Sequence, residues 1–543
     1  MNTLRAVIVR IAASCMVTLS GLAAPARAAA DGETALVSVQ GGARRLLELS
    51  ISLEHATRQG DRLVFAATEW ERAQLESAGI AYRVVIPDLA AFYAARLRAE
   101  RPLWAGTSPA DAPGFGFGTM GGYYTWTEMA GKLDEMRTNY PALVTVKQSL
   151  GLSREGRPVW VVMISDHADR QDENEPAALF TGLTHAREPI GMEVVLYTMF
   201  HLLERYGADP EVTYLVDNRQ LYFVPVVNPD GYVHNQTTNP SGGGMWRKNR
   251  LNSGNGVYGV DLNRNYGYRW GWDNQGSSPT PSSETYRGPG PFSEPETSAI
   301  RSLHALQEIT TAFHYHAWGG YEIHPFAFQA SAFPPAPDLA EYLRYGAVLT
   351  SLNGYKVGNF AQTLGYLANG EAIDWSYGEQ LEKNKVIAFL PEVGTSSDGF
   401  WPPSSRILPL CELHRAPNLY WAWIAGSRGE LVRVIAGPVV PIGASSSVVV
   451  EVENRGFGAA AADLRVALDC NDPYVTISTP RKPFPVLAPL QLGSNSSDPL
   501  EFSVAANAPK SYPITLTVRL EQGGVLRGTT SVQVVTPASG DGR

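Results

Sequence analysis

The sequence predicts an α/β protein whose mixed central sheet is flanked by helices, preceded by a small α+β module and followed by a β-sandwich. Three observations predict it. Between about 123 and 425, short runs apolar on both faces alternate with helical stretches, the pattern of a sheet covered on both sides. Before it, a β-α-β-α-β alternation occupies only about 65 residues, enough for a compact α+β unit. After Gly426, β-like runs recur at short intervals, divided by Gly, Asn, Pro and Ser turns.

At 543 residues the chain has room for about three domains. Residues 1–28 read as an export signal: Arg5 and Arg10, an apolar stretch over 11–24, then the small-residue site Ala26-Arg27-Ala28, with cleavage expected after Ala28. A lipid-modified Cys15 fits poorly, because Ala12-Ala13-Ser14 is a weak lipobox. The small module is expected over 29–100, with strands at 35–39, 63–67 and 82–86 and helices at 44–55 and 70–78. A stretch rich in Gly and Pro, including Asp111-Ala112-Pro113-Gly114-Phe115-Gly116-Phe117-Gly118, predicts a linker over 101–121.

The central region, 122–426, opens with Thr125 and Glu128, a capping box ahead of a helix reaching about 140. Strands are expected at 144–148, 159–164, 177–183, 221–227, 309–313 and 386–390, with a helix at 193–206 and another at 408–424 closing the region. Runs at 431–435, 446–452, 464–468, 474–477, 500–504, 514–520 and 529–535 predict the sandwich over 430–536, followed by a tail at 537–543.

Composition excludes several classes of function. Forty-four Lys and Arg against 53 Asp and Glu give a net charge of −9 and a pI near 5.7, the opposite of a nucleic-acid binder. Removing a signal with three arginines would take the charge to −12. Hydrophobic residues at 44% and charged residues at 18% exclude a disordered chain. Beyond the signal, no stretch reaches the roughly 18 uninterrupted apolar residues of a membrane span, so a secreted or periplasmic protein is expected. Only Cys411 and Cys470 remain after processing, too few for a disulfide framework.

The chemistry is expected in the central region. His185-Ala186-Arg187-Glu188 follows the buried run through Thr181-Gly182, at the carboxyl end of a strand, where open α/β sheets place their sites. A His and a Glu three apart can reach one divalent ion. The same spacing recurs at His201 and Glu204 inside an apolar helix, where an ordinary pair is the better reading. Catalytic zinc takes three protein ligands, and Phe313-His314-Tyr315-His316 offers the third. Strand alternation puts His314 and His316 on one face, so periodicity does not choose between them. Trp246-Arg247-Lys248, Asp261-Leu262-Asn263-Arg264-Asn265, Tyr366 and Pro391-Glu392 are further polar residues near apolar runs, each unremarkable singly.

Their order is specific. His185-Ala-Arg-Glu188, Asn228-Pro-Asp-Gly231, Trp246-Arg-Lys248, Asp261-Leu-Asn-Arg-Asn265, Tyr286-Arg-Gly-Pro-Gly-Pro-Phe-Ser-Glu-Pro-Glu-Thr297, Tyr366 through Ile373-Asp374-Trp375, and Glu392 together strongly resemble the zinc carboxypeptidases of peptidase family M14, the carboxypeptidase A-like enzymes, in their bacterial secreted type. The resemblance covers roughly residues 123–425. Carboxypeptidase A is itself a standard example of a His₂Glu zinc site.

The resemblance implies His185, Glu188 and His316 as ligands of one Zn²⁺, with His316 preferred by its spacing to Pro325. It implies Asp261 as the carboxylate that orients His185, Glu392 as general base and Arg247 as oxyanion stabiliser. Zinc lowers the pKa of its bound water from about 15.7 toward roughly 7, and Glu392 would take that water's proton and deliver it to the leaving amine. Arg264 suits bidentate capture of a free terminal carboxylate, with Asn263 and Tyr366 adding hydrogen bonds and Arg187 assisting docking. Peptide and protein C-termini are thus the implied substrate, for a monomer.

Ile373 stands where an apolar residue favours apolar or aromatic C-terminal side chains. Glu371 would extend acceptance to Lys or Arg if its carboxylate reached the pocket, but solvent orientation is the simpler expectation. The small module looks like the domains that precede such catalytic domains and is expected to be either an inhibitory propeptide or folding aid removed by cleavage before Gly122, which would make the full-length protein a zymogen, or a permanent structural domain. Two other classes remain open: a cell-wall amidopeptidase of the same fold, disfavoured by Asn263, Arg264 and Tyr366, and a non-catalytic secreted binding protein, disfavoured by the intact ligand set.

Overall fold

The computed structural model describes residues 33–104, 109–170 and 175–538, so the expected signal lies outside the described residues. The small module pairs β1 (Ala35–Gln40), β2 (Thr57–Gln59), β3 (Arg62–Ala67) and β4 (Tyr82–Ile86) in the order β2-β3-β1-β4, with antiparallel neighbours. Helix Glu69–Ser77 begins at a capping box: Thr68 accepts from the Glu71 amide and Glu71 accepts from the Thr68 amide. A longer helix, Leu89–Trp104, leads away from the module.

Two expectations for this half of the chain need correction. The helix expected over 44–55 ends at Glu48. Ser50 (φ 58°) and His55 (φ 54°) adopt left-handed backbone that a helix cannot continue through, and the residues between them form a loop. The stretch expected as a linker begins with the last turn of helix Leu89–Trp104, and Ala112, Phe115 and Met120 are fully buried against the central region. His201 Nδ1 meets the Asp111 carbonyl at 3.1 Å and Glu204 accepts from the Gly114 amide at 2.8 Å, so the second His-Glu pair anchors this stretch.

The central sheet contains β5 (Gln148–Leu152), β6 (Pro158–Ile164), β7 (Ala177–Thr181), β8 (Gln220–Val224), β9 (Ile309–His314), β10 (Tyr321–Ile323), β11 (Lys356–Gly358) and β12 (Ile387–Glu392), in the order β11-β10-β12-β9-β7-β8-β6-β5. Its middle strands β8, β7, β9 and β12 are mutually parallel, and β6 and β10 join antiparallel. The sheet is mixed, as expected. The run 144–148 is not one of its strands, and Val144 makes only an isolated bridge to Ile164.

Alternation along the middle strands sorts side chains into two cores. Phe180, Phe223 and Phe313 face helices Ile190–Arg205 and Ser404–Ala425, where Trp421 stacks on Phe313 with ring centres 4.8 Å apart. Leu179, Tyr222 and Ala312 face the other side, with Ile300 of helix Pro295–Leu306. The expected capping box is present, with Thr125 and Glu128 exchanging hydrogen bonds ahead of helix Trp126–Asn139. From Gly429–Ala436 to Val525–Val535, nine strands form two antiparallel sheets of five and four around their own core. Cys411 is buried and Cys470 half-buried, and both are free.

Candidate active site

The parallel arrangement brings three strand ends to one edge of the sheet, and each delivers a polar residue. The segment after β7 carries His185 and Glu188, the residue two beyond β9 is His316, and Glu392 ends β12 in a parallel bridge with His316. His185 Nδ1 lies 2.9 Å from Glu188 Oε1, His316 Nδ1 lies 3.0 Å from Glu188 Oε2, and the two Nδ1 atoms are 3.0 Å apart. All three residues are buried, and their ligand atoms converge within 4.8 Å of one another. Two imidazole nitrogens and a carboxylate so spaced match the roughly 2.0–2.2 Å bond lengths of a zinc site.

The two histidines that periodicity left open part company in the fold. His314 turns to Thr181 Oγ1 at 2.9 Å and Ser376 Oγ at 3.2 Å, and burial holds its ring neutral, with a pKa lowered to about 3. His316 is the one that meets His185 and Glu188.

Charge organises the rest. Asp261 Oδ1 lies 3.2 Å from His185 Nε2, and its Oδ2 accepts from Arg247 Nη2 at 2.8 Å. Burial alone would raise the Asp261 carboxyl, but Arg247 and Arg264 hold it well below the usual range. Burial and Arg247 would lower His185, yet Glu188 and Asp261 outweigh them and raise it. Glu392 is pushed well up by burial, then by the charges of Glu188 and Glu54, and its Oε2 is buried without a hydrogen-bond partner among the described residues.

Asn263 donates to Glu371 Oε1 at 2.6 Å and accepts from the Ala372 amide at 3.0 Å. Arg264 is buried and donates through Nη1 to the Asn263 carbonyl at 2.8 Å, and its Nε has no hydrogen-bond partner among the described residues. Ile373 is fully buried. The solvent orientation expected of Glu371 is overturned: the residue has 0% exposure, and its Oε2 caps helix Ala372–Gly378 at the Ile373 amide, 2.7 Å away. Burial pushes its carboxyl up to about 7.

Sequence reasoning missed one participant, the loop 50–56 of the small module. Glu54 Oε2 accepts from Arg187 Nη2 at 3.1 Å and from Arg247 Nη1, while Tyr366 OH reaches Glu54 Oε1 at 3.3 Å. Burial would raise Glu54, but Arg247 and its other cationic neighbours hold it down at about 2. His55 stacks on Trp318 at 5.0 Å and meets Phe400 edge-on at 5.2 Å. The sequence signal for this loop was confined to Ser50 and Ser52 interrupting a helical pattern, which marks a break and no role.

A mixed α/β sheet with a convergent His-Glu-His cluster and a buried carboxylate at its carboxyl edge defines a metallohydrolase of the carboxypeptidase fold. Comparison with known proteins narrows this. The zinc carboxypeptidase family model, peptidase M14, matches residues 129–416. Carboxypeptidase A2 of Rattus norvegicus is 33% identical over 357 residues, covering 65% of this chain and 80% of the relative. Metallocarboxypeptidase A of Arthroderma otae is 32% identical over 268 residues, covering 48% and 61%. The solved carboxypeptidase A of Helicoverpa armigera shares the fold, with a TM-score of 0.58, 22% identity and coverage of 73% of this chain and 98% of that one. The chain belongs to the M14 zinc carboxypeptidase family and is a zinc metallocarboxypeptidase.

Proposed function

We propose that the chain releases C-terminal residues, preferring large hydrophobic or aromatic ones and tolerating basic ones, through a single zinc held by His185, Glu188 and His316. The convergence of those ligand atoms beside the unpartnered Glu392 carboxylate carries this reading. When bound, zinc supplies Lewis-acid polarisation of the scissile carbonyl and acidifies water. Glu392 takes the water's proton and passes it to the leaving amine. Asp261 fixes the His185 ring through Nε2, which leaves Nδ1 for the metal. Arg247 stabilises the oxyanion, and Arg264, Asn263, Arg187 and Tyr366 hold the terminal carboxylate and its neighbour.

Ile373 provides the apolar wall that receives the terminal side chain, and Glu371 is the acidic group that admits a basic one. The amino-terminal sequence supports export, and no helix among the described residues is long and apolar enough to cross a membrane. The chain is proposed to act as a monomer, with residues 29–100, 122–426 and 430–536 as its three folded units.

The test is hydrolysis of benzoyl-Gly-Phe and benzoyl-Gly-Arg by the full chain, with and without a zinc chelator, alongside Glu392→Gln. Chelator-sensitive release that falls roughly 10²–10⁴-fold in the variant is expected. Release unaffected by the chelator or by the substitution overturns the mechanism.

A further inference from the structure

The chain at Glu392 is pinned almost entirely by other main chain. The His316 amide donates to the Pro391 carbonyl and the Val393 amide to the His316 carbonyl, each at 2.9 Å, Gly320 donates to the Glu392 carbonyl at 2.9 Å, and Gly319 donates to the Gly394 carbonyl at 3.2 Å. Directly beyond Glu392 the chain turns at Gly394 (φ 86°), a left-handed position that glycine adopts freely and that nothing on glycine itself can anchor. The Gly394 amide donates at 2.8 Å to the Tyr355 hydroxyl, the one side chain that bonds the backbone of residues 391–394 among the described residues.

Tyr355 is itself held. It stands between helix Ala336–Asn353 and β11, its amide donates to Asn353 Oδ1 at 3.0 Å, and its hydroxyl lies 3.3 Å from His414 Nε2. His414, from helix Ser404–Ala425, has 0% exposure, and burial keeps its ring neutral, with a pKa lowered to about 3. The phenol oxygen accepts from Gly394, so its own proton goes to Nε2, and His414 Nδ1 has no partner among the described residues. A buried nitrogen left unmet is costly, and packing alone would be better served by a leucine. The same ring meets Tyr355 edge-on at 5.3 Å and Tyr315 edge-on at 5.4 Å. Tyr315 directly precedes His316, so one imidazole braces the strand end that carries a metal ligand and, through Tyr355, the one that carries the base.

We propose that Tyr355, oriented by His414, is a positioning residue for Glu392: its hydroxyl fixes the turn at Gly394 and thereby aims the carboxylate at the metal ligands. This inference rests on the general-base role given to Glu392 above and adds the group that holds that base in place. Glu392 Oε2 has no hydrogen-bond partner among the described residues, so the direction of the side chain is set by its backbone. A displacement of about 1 Å in a reacting group can cost on the order of 10²-fold in rate. Substrate capture falls to Arg264, Asn263, Arg187 and Tyr366, none of which Tyr355 touches, so binding is spared when the turn loosens.

The experiment compares the zinc-loaded full chain with Tyr355→Phe, His414→Leu, His414→Gln, the double variant Tyr355→Phe/His414→Leu, and Glu392→Gln. Tyr345→Phe, which removes another buried hydroxyl, bonded to the Arg455 carbonyl at 3.0 Å, controls for a general loss of packing. Two quantities are read: kcat and KM for benzoyl-Gly-Phe, and hydrogen exchange at the Gly394 amide. Tyr355→Phe is expected to lower kcat roughly 10- to 100-fold with KM within about twofold, and to speed exchange at Gly394 roughly tenfold. His414→Leu moves both readouts the same way by less, and the double variant falls no further than Tyr355→Phe, because one residue acts through the other. His414→Gln, whose amide oxygen reaches the place of Nε2, restores both, and Tyr345→Phe leaves both unchanged. An unchanged kcat or unchanged exchange in Tyr355→Phe, a loss carried by KM, or an equal loss in Tyr345→Phe overturns the proposal. If no form hydrolyses the dipeptide, or Glu392→Gln does so at the wild-type rate, the general-base reading fails and exchange alone decides the hold on the turn, faster exchange supporting it and equal exchange refuting it.

Discussion

Asp261 shows how one side chain sets the charge state of its neighbours. It has 0% exposure, and its two oxygens divide between His185 Nε2 and Arg247. A buried carboxylate is tolerable only when so paired. Glu371 is a second such residue, and its preference can be tested directly. Burial raises its carboxyl to about 7 against the pull of Asn263, the Ile373 amide, Arg264 and the Asp374 amide. Ionisation favours a cationic side chain in the pocket, so the ratio of kcat/KM for Arg-ended over Phe-ended substrate is expected to rise as pH passes upward through 7. Glu371→Gln should flatten that profile and reduce the Arg-ended rate roughly tenfold, about 1.4 kcal/mol, while leaving the Phe-ended rate within about twofold. A ratio unchanged by the substitution would place basic-end recognition elsewhere. The motif residues were legible through their joint order, but Glu371's orientation was not, since capping a helix and lining a pocket need the same residue type.

At the level of elements, strand ends did most to assemble the site. β7, β9 and β12 lie side by side and parallel, so three segments distant in sequence finish at one edge. Alternating apolar runs make these strands and the closing helix readable in the sequence. The run 144–148 misled because Val144 and Val146 mimic a strand at a place where the chain only bridges to Ile164. β10 carries a buried acid, Glu322, which accepts from Asn353 Nδ2 at 2.7 Å and whose Oε2 has no partner among the described residues. Burial raises its carboxyl to about 8. The folded pKa stands above the unfolded one, so the stability contributed by the neutral form is full below about 4.5 and is lost as pH rises through 8. Glu322→Gln retains an amide that can meet Asn353 and removes the titration. Its stability is expected to exceed wild type at pH 9 by on the order of 5 kcal/mol, seen as a higher melting temperature, and to approach it near pH 5. Equal pH profiles for the two proteins would show that Glu322 ionises without cost.

Across the whole molecule, the sandwich and the catalytic region are joined by a charged and aromatic contact. Arg527 lies over the Trp423 ring at 4.2 Å and donates to Glu211 at 3.0 Å, while Gln522 reaches the Tyr214 hydroxyl at 3.2 Å. Arg527→Ala is expected to loosen this docking by roughly 1–3 kcal/mol and to split one thermal transition into two in calorimetry, with catalytic rates unchanged. A single unshifted transition would mean the contact contributes little. The order and spacing of the ligand, base and arginine motifs were determined by the sequence alone, because metal and carboxylate chemistry restricts which residue types can serve. The alternation of apolar runs likewise determined the layered sheet. The tertiary structure alone turned His314 away to Thr181 and Ser376, buried Glu371, and set Glu54 and His55 beside the His-Glu-His cluster. These outcomes depend on contacts between segments 312 residues apart and more, and local periodicity carries no information about which distant surface a loop will meet.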